Sequence, residues 1–279
     1  MTFKKFLIIA SKQDLAGVNI TTQLSQFRNP ILDSMKKESD SSPHFDFYLR
    51  EEEIVSDDNL NYEKISKYDF VIFASKHQSS EKIKALSIHA PGNWKKNEFG
   101  GKSETICPTS AQFLKQTFET LNKNAKEHYL TDYQVTLECT HHGPLIQKPC
   151  IFIEIGSTET EWKDRRAGFV IAKTIRDIIQ NFKENPYNEI AIGIGGPHYC
   201  PNFNKIQLNS NFAVSHIIPS YALPLTEEMV KQAIEKTQEE IDFVLLDWKG
   251  LGNAEERERV IKILDKNHLN YKKTGEIKK

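Results

Sequence analysis

Five short runs of nearly unbroken apolar residues constrain this chain more than any other feature. They are "KKFLIIAS" at 4–11, "DFVIFAS" at 69–75, "CIFIEIG" at 150–156, "EIAIGIGG" at 189–196 and "DFVLLDW" at 242–248. Each is too short for a buried helix and lacks the polar alternation of a half-exposed strand, so each reads as a strand covered on both faces. "IKALSIHA" (83–90) and "YQVTLEC" (133–139) add two more strands. Helical spacing fills the gaps. Ile20, Leu24 and Phe27 share a face before Pro30 stops the pattern, and Ala111, Leu114, Phe118 and Leu121 line a helix over 108–123. Thr158 and Glu161 form a capping box for a long helix whose buried side carries Ile171, Ile175, Ile178 and Phe182. Further helices run from Thr226 to about Ile241 and over 254–267. Strands interleaved with helices predict an α/β fold, a mostly parallel central sheet with helices on both faces.

No repeat and no Pro- or Gly-rich linker divides the 279 residues, so a single domain over 1–279 is expected. The acidic, Ser-rich 36–61 reads as a surface excursion and the Lys-rich 272–279 as a frayed tail. The formal charge of −1 offers no global basic field, so a nucleic-acid partner must be met by a local patch. Cys107, Cys139, Cys150 and Cys200 form no C-x-x-C pair, and "MTFKKFLIIAS" runs directly into strand pattern rather than a signal peptide. Reduced thiols in a cytoplasmic protein are expected. No apolar run approaches the ~20 residues that span a bilayer, so no membrane partner is expected, and no obligate protein partner is evident.

Polar residues collect where these strands end. His77, His89, the adjacent His141-His142 and His198 follow or close predicted strands, which is five of the nine histidines. Parallel sheets gather ligand and catalytic groups at their carboxyl ends. Glu154 interrupts a run that must be buried, and a buried carboxylate is costly unless paired or bound to metal. An ion pair with Arg165 or Arg166 is the plain alternative. His141 and His142 cannot point the same way in an extended chain, so one of them is a ligand unless a turn intervenes, and Gly143-Pro144 could supply it. His216 precedes Ile217-Ile218 and could join from a crossover. "GIGGPH" is no dinucleotide fingerprint, because Pro197 follows and no ribose-binding acid is evident; Gly195 and Gly196 let backbone approach a ligand or a neighbouring strand. Asn93 reads as a turn residue or a substrate contact. Lys95, Lys96, Arg165 and Arg166 are candidate phosphate contacts. Cys139 and Cys200 flank histidines but read as small apolar residues.

"SKQDLAGVNI", "SKHQSS", "SIHAPGN", "ECTHHGP", "FIEIGSTETEW", "GIGGPHYCP", "SHIIPSYAL" and "DWKGL" run in that order from residue 11 to about residue 252. With these motifs the chain resembles the archaeal/plant-type D-aminoacyl-tRNA deacylases. The resemblance implies a zinc-dependent hydrolase that cleaves the ester between a D-amino acid and the terminal ribose of tRNA. It also implies removal of aldehyde-modified adducts, and a fold similar to peptidyl-tRNA hydrolase and purine nucleoside phosphorylase. Catalytic zinc commonly keeps three His or carboxylate ligands and one open position. His89, His141, Glu154 and His198 are the expected ligands. His142 is expected on the substrate side, with Glu138 or Glu159 as general base or orienting group and His77 nearby. Two readings compete: another zinc hydrolase or phosphorylase-like enzyme acting on a small molecule, and a non-catalytic tRNA-binding protein with a closed structural metal.

Overall fold

The computed structural model describes residues 3–27, 42–57, 59–97 and 99–277. The order begins β1 (Lys5–Ser11), α1 (Leu15–Ser25), β2 (His44–Arg50), α2 (Tyr62–Ile65), β3 (Phe70–Gln78), β4 (Ala85–His89), β5 (Gly92–Asn93) and β6 (Thr105–Ile106). It continues α3 (Ala111–Glu127), β7 (Gln134–Leu137), β8 (Cys150–Ser157), α4 (Glu159–Trp162), α5 (Arg165–Asn181), β9 (Glu189–Ile194) and α6 (Pro201–Asn209). β10 (Phe212–Ile218), α7 (Glu227–Glu235), β11 (Phe243–Leu246), α8 (Ala254–Lys266) and β12 (Tyr271–Lys273) complete it.

Among the described residues, one sheet of six strands has the order β2-β1-β3-β8-β4-β7, and one of four strands has the order β10-β9-β11-β12. The smaller sheet is wholly parallel. In the larger sheet β4 pairs antiparallel with β8 and parallel with β7, so these two strands run against the rest. The carboxyl ends of β3 and β4 therefore face opposite ways. Both faces of the larger sheet are buried, as the apolar runs required. Along β1, Phe6, Ile8 and Ala10 pack into one cluster, and Leu7 and Ile9 into another. Phe70 and Phe113, with ring centres 4.2 Å apart, anchor the first. Burying each such ring contributes about 1.5–3 kcal/mol.

Several elements differ from the sequence expectation. Within 36–61, residues 44–50 form an edge strand paired along β1, with alternating aromatic residues on its inner side; residues 36–41 lie outside those described, as does Pro30. The tail is not all frayed: Tyr271–Lys273 pairs with β11. The helix expected to run to Ile241 ends at Glu235, and α6 and β10 were not foreseen as elements. The long helix after Thr158 is two helices. Thr158 N–H donates to Glu161 Oε2 (3.0 Å), as a capping box requires, but Asp164 then caps a fresh start by accepting from Arg166 N–H (2.9 Å). Asn19 holds this break, its Nδ2 donating to the carbonyls of Trp162 (3.0 Å) and Asp164 (2.9 Å). A fully buried carbonyl stripped of its donor costs about 1–3 kcal/mol, and these two are partly buried, which puts them at the low end. Asn19→Ala is expected to lower the unfolding free energy by about that amount, read from the denaturant midpoint at unchanged slope.

Candidate active site

The loop that leaves β7 carries the centre of the site. Glu138 N–H is bonded to Ile88 O, Cys139 N–H to His198 O and Thr140 N–H to Ile217 O, each at 3.0 Å. These bonds pin residues 138–140 between the two sheets. Glu138 is buried, and no well-aligned donor reaches either of its carboxylate oxygens. Imidazole nitrogens crowd it instead: His77 Nδ1 at 3.1 Å, His198 Nε2 at 3.2 Å and His141 Nε2 at 3.4 Å.

Glu154 sits on β8, flanked in register by Ser75 of β3 and Ser87 of β4, and paired residues share a sheet face. His89 Nε2 lies 3.6 Å from its carboxylate and His77 Nδ1 3.8 Å away. No arginine pairs with Glu154, so the plain alternative does not hold among the described residues; Arg166 binds Asp132 and Asp164 instead. Gly156 is needed beside it, because a Cβ there would approach His77 Cδ2 to 2.6 Å.

The adjacent pair does not stay extended. His142 takes φ = 46°, so the turn falls on the histidine itself, ahead of Gly143-Pro144. His89, His141 and His142 consequently converge, with ring centres 4.1, 4.2 and 4.8 Å apart. Each turns its Nδ1 to a backbone carbonyl, of Ala90 (3.2 Å), Cys139 (2.9 Å) and Gly143 (2.6 Å) respectively. A carbonyl only accepts, so Nδ1 carries the proton and Nε2 keeps a lone pair in each ring. Two of these lone pairs face carboxylates, His89 towards Glu154 and His141 towards Glu138. Lone pair against carboxylate oxygen is repulsive unless a proton or a cation intervenes.

Protonation of these rings is suppressed. Burial, reinforced by neighbouring imidazoles, holds His89 and His141 well below the ordinary 6.5. Burial likewise lowers His142 to about 4 and also lowers His77. A cation therefore fits: the ligand atoms of His89, His141 and His142 all lie within 4.8 Å of one another, as do those of His77, Glu138 and His198 and of His89, Glu138 and Glu154. Cys139 with His141 and His198 makes a further such group.

The remaining charges separate. Burial pushes Glu138 up, but the close imidazoles of His198, His77 and His89 outweigh it and hold the carboxyl far below its usual range. Burial, with the charges of Glu138 and Asp14, keeps Glu154 well above its usual range. His198 moves the other way from its neighbours. Burial lowers it, yet contacts with Cys139 and Glu138 dominate and raise it to about 10. Its Nδ1 lies 3.4 Å from the Tyr221 hydroxyl, which also meets Cys139 Sγ at 2.9 Å.

A cleft of about 530 Å³ opens onto His141, His142 and His198, walled by Trp94, Phe99 and Tyr221. Phe99 and Tyr221 are 67% and 59% exposed, which leaves ring surface free for a planar ligand. Asn93, Lys95 and Lys96 line this cleft as well. Asn93 Nδ2 donates to Gly100 O (2.9 Å) and so holds the loop, while Lys95 Nζ bridges to Leu223 O (2.6 Å).

The structure does not bring every nominated residue here. Glu159 is exposed and pairs with Lys163 on the first turn of α4, pointing away from the cluster. Arg165 and Arg166 line a different hollow, beside Gln23 and Phe169. Gly195 and Gly196, at φ = 96° and 84°, are pressed against Asp247, where a Cβ would come within 2.9 Å of its oxygens; they seat a neighbouring loop and do not line the histidine cleft. His216 is buried beneath Trp94, bonded to Thr140 Oγ1 (3.1 Å), and lowered by burial to about 3; it stands outside the cluster. Tyr199, which meets His77 Nε2 at 2.8 Å, and Tyr221 were missed, although "GGPHYCP" and "HIIPSYAL" hold them.

In the metal-free chain, imidazole NMR at pH 7 should find His198 alone of these five rings carrying both protons. Glu138→Gln removes the anion that raises it, so its titration should fall from about 10 towards 6.5. An unchanged His198 titration in that variant contradicts the pairing.

Comparison with known proteins agrees with this architecture. A family profile described as D-aminoacyl-tRNA deacylase matches residues 64–272. A D-aminoacyl-tRNA deacylase of Methanocaldococcus jannaschii is 32% identical, covering 96% of this chain and 99% of its own. One from Pyrococcus furiosus is 40% identical over 66% of each. A crystal structure of a conserved protein of unknown function superposes with a TM-score of 0.84 at 29% identity, over 99% of this chain and 98% of that one. The chain belongs to the D-aminoacyl-tRNA deacylase family.

Proposed function

We propose that this protein hydrolyses the ester of D-aminoacyl-tRNA, releasing free D-amino acid and tRNA, with a zinc ion held by Nε2 of His89, His141 and His142. The observation that carries the metal is the shared orientation of the three rings: Nδ1–H on a backbone carbonyl, Nε2 bare and convergent. Metal-binding histidines are commonly fixed in this way through their other nitrogen. When bound, zinc supplies a Lewis acid for the ester carbonyl and lowers the pKa of a bound water to about 7. His142 thus joins His141 as a ligand in this reading, rather than standing on the substrate side.

The chain's own residues supply the rest. Glu138 stays ionised and balances the cation. Glu154 keeps its proton and can donate a hydrogen bond at neutral pH, so the two buried carboxyls take opposite roles. His198 borders the cleft and stores a proton, with Tyr221 OH 3.4 Å from its Nδ1. That relay can protonate the departing ribose oxygen. In this reading His198 leaves the ligand set expected from sequence and becomes the proton source. The exposed rings of Phe99 and Tyr221 accept the terminal base of the tRNA by stacking. Both sheets contribute to the cluster, so the chain acts as one unit, and a tRNA substrate calls for a cytoplasmic location.

The test compares matched D- and L-aminoacyl-tRNA with and without a chelator. The D-ester should be hydrolysed and the L-ester spared, with activity lost on chelation and restored by zinc. His89→Ala, His141→Ala and His142→Ala should each lower bound zinc and rate together. His198→Gln should leave zinc in place and slow turnover by about 10²–10⁴-fold. Full turnover of a preparation verified to be free of metal sinks the zinc mechanism. Zinc retained in His142→Ala returns that residue to the substrate side.

A further inference from the structure

A cleft of about 710 Å³ lies apart from the histidines, lined by Asn202, Lys205, Asp247, Trp248, Lys249 and Lys273 among others. It opens where the order of strand addition reverses in the smaller sheet. β9 has β10 on one side and β11 on the other, all parallel, so the carboxyl ends of β9 and β11 flank a topological switch point, the place where open α/β sheets bind ligands. Its charge is basic. Lys205 and Lys249 are exposed and have no ion-pair partner among the described residues. Lys273 Nζ lies 4.3 Å from the centre of the Trp248 ring, and Arg257 reaches the same ring at 5.3 Å. Asp247 is buried at its base and accepts from Asn202 Nδ2 (3.0 Å), which leaves the three lysines in excess of the acids that line the cleft. Glu276 is the acid at the rim, 3.6 Å from Lys273.

We infer that this cleft docks the acceptor arm of tRNA through its phosphates, a proposal that rests on the deacylase reading above. Cationic side chains around an aromatic floor make the groove that nucleic-acid backbones favour. The two sites share one loop. Gly196 seats the switch-point side, His198 and Tyr199 face the histidine cluster, and Asn202 lies on the cleft. Asn202 follows His198 by four positions, at most about 14 Å of chain, so one RNA strand can touch both. The cleft also replaces the nominated pair Arg165-Arg166, since Arg166 is already engaged by Asp132 and Asp164. With a net charge of −1, long-range attraction is absent and such local lysines must carry the phosphate contacts.

The experiment measures binding of unacylated tRNA across a salt series for the full chain, Lys205→Gln/Lys249→Gln, and a control pair elsewhere, Lys123→Gln/Lys231→Gln. The log–log salt slope of the cleft pair should be shallower by about 0.7–0.9 for each phosphate that is no longer neutralised, with the control pair matching wild type. Single-turnover hydrolysis of D-aminoacyl-tRNA at saturating enzyme should be unchanged in the cleft pair, since neither lysine touches the histidine cluster. A slope equal to wild type in the cleft pair, an equally shallow slope in the control pair, or no tRNA binding by the wild type overturns the docking site. Wild type that binds tRNA with the expected slopes but leaves the D-ester intact overturns the deacylase reading instead.

Discussion

A carboxylate with almost no access to water sets the terms for the rest of this molecule. Glu138 is 2% exposed and stays ionised because the close imidazoles of His198 and His77 outweigh its burial, with His141 crowded against the same carboxylate. Removing one partner of a buried charge typically costs about 3–5 kcal/mol, so the geometry that assembles those rings is held firmly. The rings come from β3, from the loop after β7 and from the loop after β9. Glu138 itself is tied to β4, and the residues beside it to His198 and to β10, by backbone bonds. The crowded carboxylate and these backbone bonds lie at the seam of the two sheets, which a shared apolar cluster also joins.

The second carboxyl shows how neighbouring groups divide labour. Glu154 is as buried as Glu138 but has the larger share of negative neighbours, among them Asp14. Asp14 caps α1 with one oxygen, accepting from Ala16 and Gly17, and with the other accepts from Ser75 Oγ (3.0 Å) and Lys76 N–H (2.8 Å). Ser75 stands beside Glu154 in register. A helix cap thereby fixes the hydroxyl that faces the protonated acid, and the "SKQD" turn serves packing and chemistry at once.

What the sequence disclosed follows from which interactions are local. Apolar runs report burial, so β1, β3, β8, β9 and β11 were legible to within three residues at either end. Strand direction is set by pairing across the sheet, and nothing in "ALSIH" says that β4 runs against β8. β2 was legible in part, since Phe45, Phe47 and Leu49 alternate, but its acidic flanks masked the pattern. The Thr158 cap correctly began a helix, while the stop at Lys163 depends on Asn19, which lies 143 residues from the carbonyl it holds. Among site residues, Glu138 and Glu159 look alike as acids following strands. Glu138 leaves β7 into the seam between sheets, whereas Glu159 opens a helix and projects to solvent with Lys163. The histidines were found because strand ends collect polar groups. Their convergence on one site was expected too; the geometry that achieves it was not legible, because it depends on the left-handed turn at His142 and on a direction of β4 that no local pattern carries.

The protonation pattern also bears on how the site is loaded. Metal ligands must be deprotonated, and binding to a protonated ring releases a proton and weakens with falling pH. His89, His141 and His142 are kept neutral by burial, so a cation meets three free lone pairs at pH 7. His198 and Glu154 hold protons that the same cation need not displace. Had the charged ring been one of the three, metal uptake and proton storage would compete for one nitrogen, and each would titrate away the other. Glu138 prevents this by drawing the stored proton to His198, on the cleft wall beside Tyr221, and leaving the buried trio bare. The same buried charge at the seam of the two sheets thus separates the group that holds a cation from the group that can deliver a proton.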